Sequence, residues 1–371
     1  MPRLNRRQLQ MHPLRERVSK LAIAEIAVRP DGPAPALPPH QAGQVARLVE
    51  RIRAARAQDR PVMLTYGAHL IKNGLGPVLI ALLEEGWVTH LATNGAGSIH
   101  DWEFAYLGRS SEDVRANVAR GQFGTWEETG RWINLALAAG GLDGLGYGAS
   151  VGALIAEEHL EIPPPAALRA QLAALAATEA PDETLGALAD ALALITTGGV
   201  EPGHYRVPHP HQRFSVQAAA ARVGVPLTVH PGIGYDIIYT HPLNSGGVIG
   251  RAAVRDFLSY ADSVSRLTGG VHLTVGSAIM APMIFEKSLS MANNLARQIG
   301  PPLTDYLLVV NDIQAGGDWD WRAGEPPMDH PAYYLRFCKT FHRMGGELDY
   351  VQADNRAFLV GVYQALTKSS S

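Results

Sequence analysis

The chain predicts an α/β architecture, a doubly wound and mostly parallel sheet. Three observations carry the prediction. Short apolar runs of strand length alternate with amphipathic helical stretches, each run ends in a loop rich in Gly, Asp or Asn, and the alternation continues from residue 61 almost to the C-terminus. In sheets of this kind ligands bind outside the carboxyl ends of the strands, so those loops are where a site is to be sought.

Taken in order, residues 1 to 60 start as a basic arm, pass through VRPDGPAPALPPH and end in a polar, Ala- and Arg-rich helix from about 41 to 57. The arm reads as a linker or an oligomer contact. From Pro61, PVMLTY is a short apolar strand, IKNGLGPVLIALLEEG an amphipathic helix, and VTHLATNGAGS a second strand running into a glycine turn, which together make a βαβ unit. Residues 110 to 195 are mostly helical, with breaks at GGLDGLGYG and EIPPP, and ALALITTGG then reads as a third strand. The strands PLTVH, VHLTV, DYLLVV and LDYVQ follow. The implied organisation is an N-terminal segment, 1–60, and a single Rossmann-like domain, 61–371, with a helical insertion around 110–190.

Composition narrows the function classes. Of 371 residues 46% are hydrophobic and 18% charged, and the net charge is −3, which favours neither disorder nor a polyanionic partner such as nucleic acid. The first 20 residues are basic but hold no apolar run of signal-peptide type, and no later stretch reaches membrane-spanning length without Gly, Pro or charge. A cytoplasmic protein with no membrane partner is therefore expected. Cys338 is the only cysteine, which rules out an internal disulfide and any zinc site built on several thiolates. Only five of the 32 basic residues are lysines, at 20, 72, 287, 339 and 368.

Four motifs have residue types suited to chemistry. Gly95, Gly97 and Ser98 follow a strand, where small residues let backbone amides approach a pyrophosphate, although a tight turn explains them as well. The glycines of GLDGLGYGASVGAL resemble a dinucleotide fingerprint but lack a preceding strand, so helix packing is the better reading. His204, His209 and His211 have a metal-like spacing on a proline-stiffened loop with no carboxylate close behind, and no metal is assigned to them. In GGDWDW, Asp318 and Asp320 alternate with Trp319 and Trp321, a pattern suited to a cationic or polyhydroxy ligand.

Together the loops resemble the deoxyhypusine synthase family over residues 61 to 365. TYGAHLIKNG, with Gly67, Ala68 and His69, looks like that family's first cofactor loop, and Thr93, Asn94, Gly95 and Ala96 look like the next. Gly276 and Ser277 in VGSAIMAP, Asn311, Asp312 and Ile313, and Asp354 and Asn355 match further cofactor-contacting runs. Asp236 and Asp320 fall where the family holds the amines of its substrate, Trp321 accompanies Asp320, and Tyr333 replaces an acid. Lys339 stands eight residues after Pro331, the spacing of the family's imine-forming lysine, and His100 stands at an acidic position; these two are the catalytic candidates.

The resemblance implies NAD as cofactor, a small-molecule substrate, and a homotetramer with sites at a dimer interface. The function it implies is a transferase that transiently oxidises a small amine or polyol and transfers or rearranges the activated group. Two alternatives stand beside it: NAD-assisted deamination or cyclisation of an amino acid such as ornithine, and non-catalytic NAD binding, the latter favoured if Lys339 is held by a structural carboxylate.

Overall fold

The computed structural model describes residues 1–178, 182–317 and 319–368, so Asp318 of the tryptophan motif lies outside the described residues. The chain forms two compact units. One comprises residues 26–97, 223–230 and 257–371; the other comprises 1–25, 98–222 and 231–256.

The first of these units holds the sheet. Its strands are β1 (Val62–Tyr66), β2 (His90–Asn94), β3 (Leu227–His230), β4 (Val271–Val275), β5 (Leu307–Asp312) and β6 (Glu347–Gln352). All pair in parallel, in the spatial order 3-2-1-4-5-6. Leu64 in the middle of the sheet is flanked by Leu91 on one side and Leu273 on the other. Every residue of β1 and β4 is buried, as a parallel strand covered on both faces requires, and this is why these strands read as largely apolar runs.

Helix α1 (Pro39–Ala57) turns Gln44, Val45, Leu48, Val49, Ile52 and Ala55 inward, a stripe at helical spacing. The stretch read as one helix after β1 breaks at Asn73 and Gly74, and its longer part is α2 (Gly76–Glu84). Helices α3 (Met280–Ile299), α4 (Arg336–His342) and α5 (Asn355–Thr367) complete the alternation with β4, β5 and β6. Phe285 of α3, Phe337 and Phe341 of α4, Tyr306, Leu308, Leu348 and Trp321 share one apolar core with Met63.

The second unit is largely helical, with helices at Glu127–Leu142, Tyr147–Glu157, Pro165–Ala176 and Asp182–Thr196. Two short antiparallel pairs accompany them, Ser19–Ala22 with Arg109–Glu112 and His159–Ile162 with Gly203–Arg206. The segment ALALITTGG is a correction to the sequence reading. Most of it belongs to the helix Asp182–Thr196, in which Ala187, Leu188, Ala191 and Leu194 are buried at a spacing no strand produces. The third strand of the sheet is Leu227–His230 instead. In GLDGLGYG, Gly146 serves packing: it lies under the carboxylate of Asp256, which accepts the Gly148 amide at 2.9 Å, and just before the motif a side chain on Gly140 would strike Ser150.

Candidate functional site

In the order 3-2-1-4-5-6 the connections reverse direction between β1 and β4, and the crevice outside the carboxyl ends of those strands is where such sheets take dinucleotides. Gly67 follows β1 and Gly276 follows β4. The Gly67 amide donates to the Val275 carbonyl at 3.1 Å and the Gly276 amide to that of Asn311 at 3.0 Å. A Cβ on Gly67 would lie 2.1 Å from the Gly276 oxygen, and Gly276 has φ +57°, so both positions require glycine and the backbone there is bare of side chains.

Around this point the structure gathers several of the residues picked out in the sequence. Thr93, buried at the end of β2, donates from its hydroxyl to the Tyr66 carbonyl at 3.0 Å, and the Asn94 side chain accepts the Gly97 amide at 2.8 Å. Gly95 and Ala96 are the first residues of the helix Gly95–Leu107 and not a free turn. Ser277 is buried, and its hydroxyl accepts the Ala281 amide at 3.3 Å. Ala68 is half-buried and His69 exposed in the short helix after Gly67.

On the other side of the crevice, Asn311 is 1% exposed. Its amide nitrogen donates to the carbonyls of Val351 (3.1 Å) and Ala353 (3.0 Å), while its Oδ1 is buried with no partner among the described residues. A buried acceptor left in this way fits a ligand N–H better than an apolar contact. Asp312 holds the Gln314 amide on one oxygen at 3.0 Å, and Ile313 beside it is exposed. Asp354 caps α5 by accepting the amides of Arg356 and Ala357, and Asn355 accepts from Asn73 at 3.0 Å.

Other candidates are placed elsewhere in the same unit. Asp320 caps a single 3-10 turn through the Arg322 amide, and with the buried Trp321 it lines a cavity against the middle of β6. The Lys339 amine lies 3.4 Å from the centroid of the Tyr333 ring and 4.0 Å from Glu325, with its side chain 13% exposed. Its immediate environment is thus an aromatic face and a carboxylate. Cys338 next to it is buried, and burial pushes its thiol well above the usual range.

In the helical unit, Asp236 is 5% exposed and accepts the Gly232 amide at 3.1 Å; burial pushes its carboxyl up to about 6. His100 bonds through Nδ1 to the Ser110 hydroxyl at 2.7 Å, and that hydroxyl donates to Glu103. Burial would raise the Glu103 carboxyl, but the Arg17 guanidinium, paired with it at 2.7 Å on both oxygens, holds it below its ordinary value. Arg17 therefore makes part of the basic arm an internal element of this unit and not a linker. Of the spaced histidines, His209 is buried edge-on to the stacked rings of Trp102 and Tyr106, and His204 is exposed beside Glu161. No group of three or more metal-binding side chains occurs among the described residues.

The sequence reading missed a buried hydrogen-bonded chain in the sheet unit. His230 at the end of β3 meets the Thr228 hydroxyl at 3.1 Å. That hydroxyl lies 3.1 Å from His90, which in turn lies 2.8 Å from Ser263. His272 of β4 meets Tyr260 at 2.8 Å and Thr65 at 3.1 Å. Burial lowers His90 and His272 to about 3 and His230 to about 4, so all three are neutral near neutral pH. The alternation LTVH, HLATN and VHLTV contained the signal: polar residues at period 2 inside apolar strands share one face.

The fold and its switch-point crevice define a Rossmann-like α/β protein. No family model matches the chain, and no curated protein matches it. Similar solved structures include AgrE in a ternary complex with ornithine and NAD+ (TM-score 0.43, 15% identity, 89% of this chain). They also include ArgZ, an arginine dihydrolase from the ornithine-ammonia cycle in cyanobacteria, in its apo form (0.41, 16%, 87%), and a putative LOR/SDH protein from Methanococcus maripaludis S2 (0.39, 12%, 91%). The chain spans about a third of the AgrE and ArgZ chains, 34% and 32%, and 73% of the third.

These similar structures are not deoxyhypusine synthases, and the resemblance to that family, with the transferase activity it implied, is withdrawn. The physical reason is that glycine-rich strand ends are dictated by the sheet order itself. Their order and spacing report the fold and not one family's chemistry. Among the described residues no helix is long and apolar enough to cross a membrane.

Proposed function

We propose that this chain binds an NAD-type dinucleotide at the carboxyl ends of β1 and β4 and uses it on a small amino-bearing substrate, as an NAD-assisted amino-acid deaminase or cyclodeaminase does. The observation that carries the reading is the Gly67–Gly276 contact at the switch point, which leaves bare backbone where a pyrophosphate passes. The buried, unpartnered Oδ1 of Asn311 suits an amide or hydroxyl of the same ligand, and Asp354 and Asn355 offer polar groups for a ribose. Bound NAD would supply a hydride acceptor. The free oxygen of Asp312 suits the ammonium of a substrate, and this is the support for an amino compound over a polyol.

Calorimetry with NAD+ and NADH tests the binding, and ammonia release over a panel of amino acids tests the reaction. No binding of either nucleotide overturns the proposal. A second reading, a dinucleotide-binding protein without catalysis, is favoured by the engagement of Lys339 with Tyr333 and Glu325. Lys339 and His100 separate the two readings: loss of turnover with intact nucleotide binding after replacement of either marks an enzyme.

A further inference from the structure

We propose that the cavity beside β6 is a second ligand site, taking a small aromatic carboxylate that carries an N–H donor next to its carboxyl group. The cavity measures about 280 Å³, close to the lower end of the size range of small-molecule pockets, and it lies between α1, the 3-10 turn Trp321–Ala323 and the middle of β6. The tryptophan motif of the sequence forms part of its wall. The nucleotide reading places nothing there.

One stripe of α1 supplies part of its polar lining, with Asp320, Arg322 and Asp349 supplying the rest. His40, Gln44 and Arg47 stand at i, i+4 and i+7, so they share a face. Gln44 is 6% exposed and fixed, since its Nε2 donates to the Tyr350 carbonyl of β6 at 2.9 Å. Its Oε1 is buried and has no partner among the described residues. Such an acceptor is costly to leave unmade and calls for an N–H.

Arg47, one turn further on, is half exposed, and its one polar contact among the described residues is 3.5 Å to Asp349. Asp349 is already held by Arg322 at 2.7 and 3.0 Å. Most of the Arg47 fork is thus available to a carboxylate. The flat apolar body of the ligand would lie against Trp319, Trp321 and Tyr350. Two of these rings are pinned by their own polar atoms: Trp319 Nε1 donates to the Gly324 carbonyl at 2.8 Å and the Tyr350 hydroxyl to that of Gln314 at 2.5 Å. Rigid aromatic walls, a half-used guanidinium and a buried amide oxygen match the three parts of an aminobenzoate.

The test uses the full chain with anthranilate as probe, followed by calorimetry and by tryptophan emission, with benzoate and aniline as comparators. Anthranilate is expected to bind saturably, and benzoate and aniline several-fold more weakly, because each lacks one of the two polar groups. Arg47→Gln is expected to weaken anthranilate about tenfold or more. Because Arg47 is half exposed, its melting temperature should stay near that of the parent; should it melt early, Arg47→Lys is expected to show the same loss of affinity on an intact fold. Saturating NADH is expected to leave anthranilate affinity unchanged, which separates this site from the crevice at β1 and β4. Absence of saturable anthranilate binding up to about 10 mM, equal affinity in the arginine variants, or full competition by NADH would each overturn the proposal.

Discussion

A methyl group added to Gly67 would sit 2.1 Å from the carbonyl oxygen of Gly276. The ends of β1 and β4 approach each other only because neither carries a side chain there. Gly67→Ala must therefore push the two loops apart, at a cost of about 1–3 kcal/mol of stability. It should also abolish nucleotide binding at a temperature where the variant is still folded. Denaturant melts and calorimetry on the same preparation check both parts.

Acid should destabilise the sheet unit in a defined window. His90, His230 and His272 titrate near 3, 4 and 3 when folded and near 6.5 when unfolded. Their folded values are depressed, so the unfolded chain binds more protons between about pH 6.5 and 4, and stability falls as pH falls through that range. Asp236, whose folded value of about 6 is raised, acts in the opposite sense but lies in the helical unit, where His209, lowered by burial to about 4, offsets it. The three sheet histidines therefore leave a difference of about three protons, or a slope of about 4 kcal/mol per pH unit near pH 5. Urea midpoints measured from pH 7 to 5 should show it; His272→Gln should flatten the slope by about a third.

The Arg17–Glu103 pair is buried, with side chains 2% and 1% exposed, and Ser110 and Thr129 also donate to the carboxylate. Arg17→Met would strand a charge in the interior and should cost about 3–5 kcal/mol. Adding Glu103→Leu should recover part of that loss. A double variant no more stable than Arg17→Met alone would show that the carboxylate is not the source of the cost.

Lys339 stacks its amine on Tyr333. Tyr333→Leu should lower stability by about 1 kcal/mol through loss of that contact, with little effect in a Lys339→Met background. A thermodynamic cycle over the four proteins measures the coupling, and nucleotide affinity should not change in any of them.

Much of the sheet was legible because its strands are buried on both faces and so appear as apolar runs closed by glycine. PVMLTY, VHLTV and DYLLVV could hardly be anything else. ALALITTGG was misread for the same reason, an apolar run before glycines; only the burial of 187, 188, 191 and 194 along the helix that enters it separates helix from strand. Gly67, Gly276 and Asn311 were legible as strand-end residues. What could not be read was which strand ends adjoin, since β1 meets β4 only through the order of the sheet. Gln44 and Arg47 gave no signal in a polar helix because their meaning depends on β6, about 300 residues away in sequence.

The two units are interleaved, each assembled from three separate stretches of chain. No single cut releases either of them, so neither can be made as one continuous fragment. The pairing of β1 with β4 joins residues about 200 positions apart. During synthesis one edge of β1 therefore stays unpaired until residue 275 has left the ribosome. An apolar strand with an open edge for so long is a ready template for the wrong partner, and the nascent chain needs shielding over that interval.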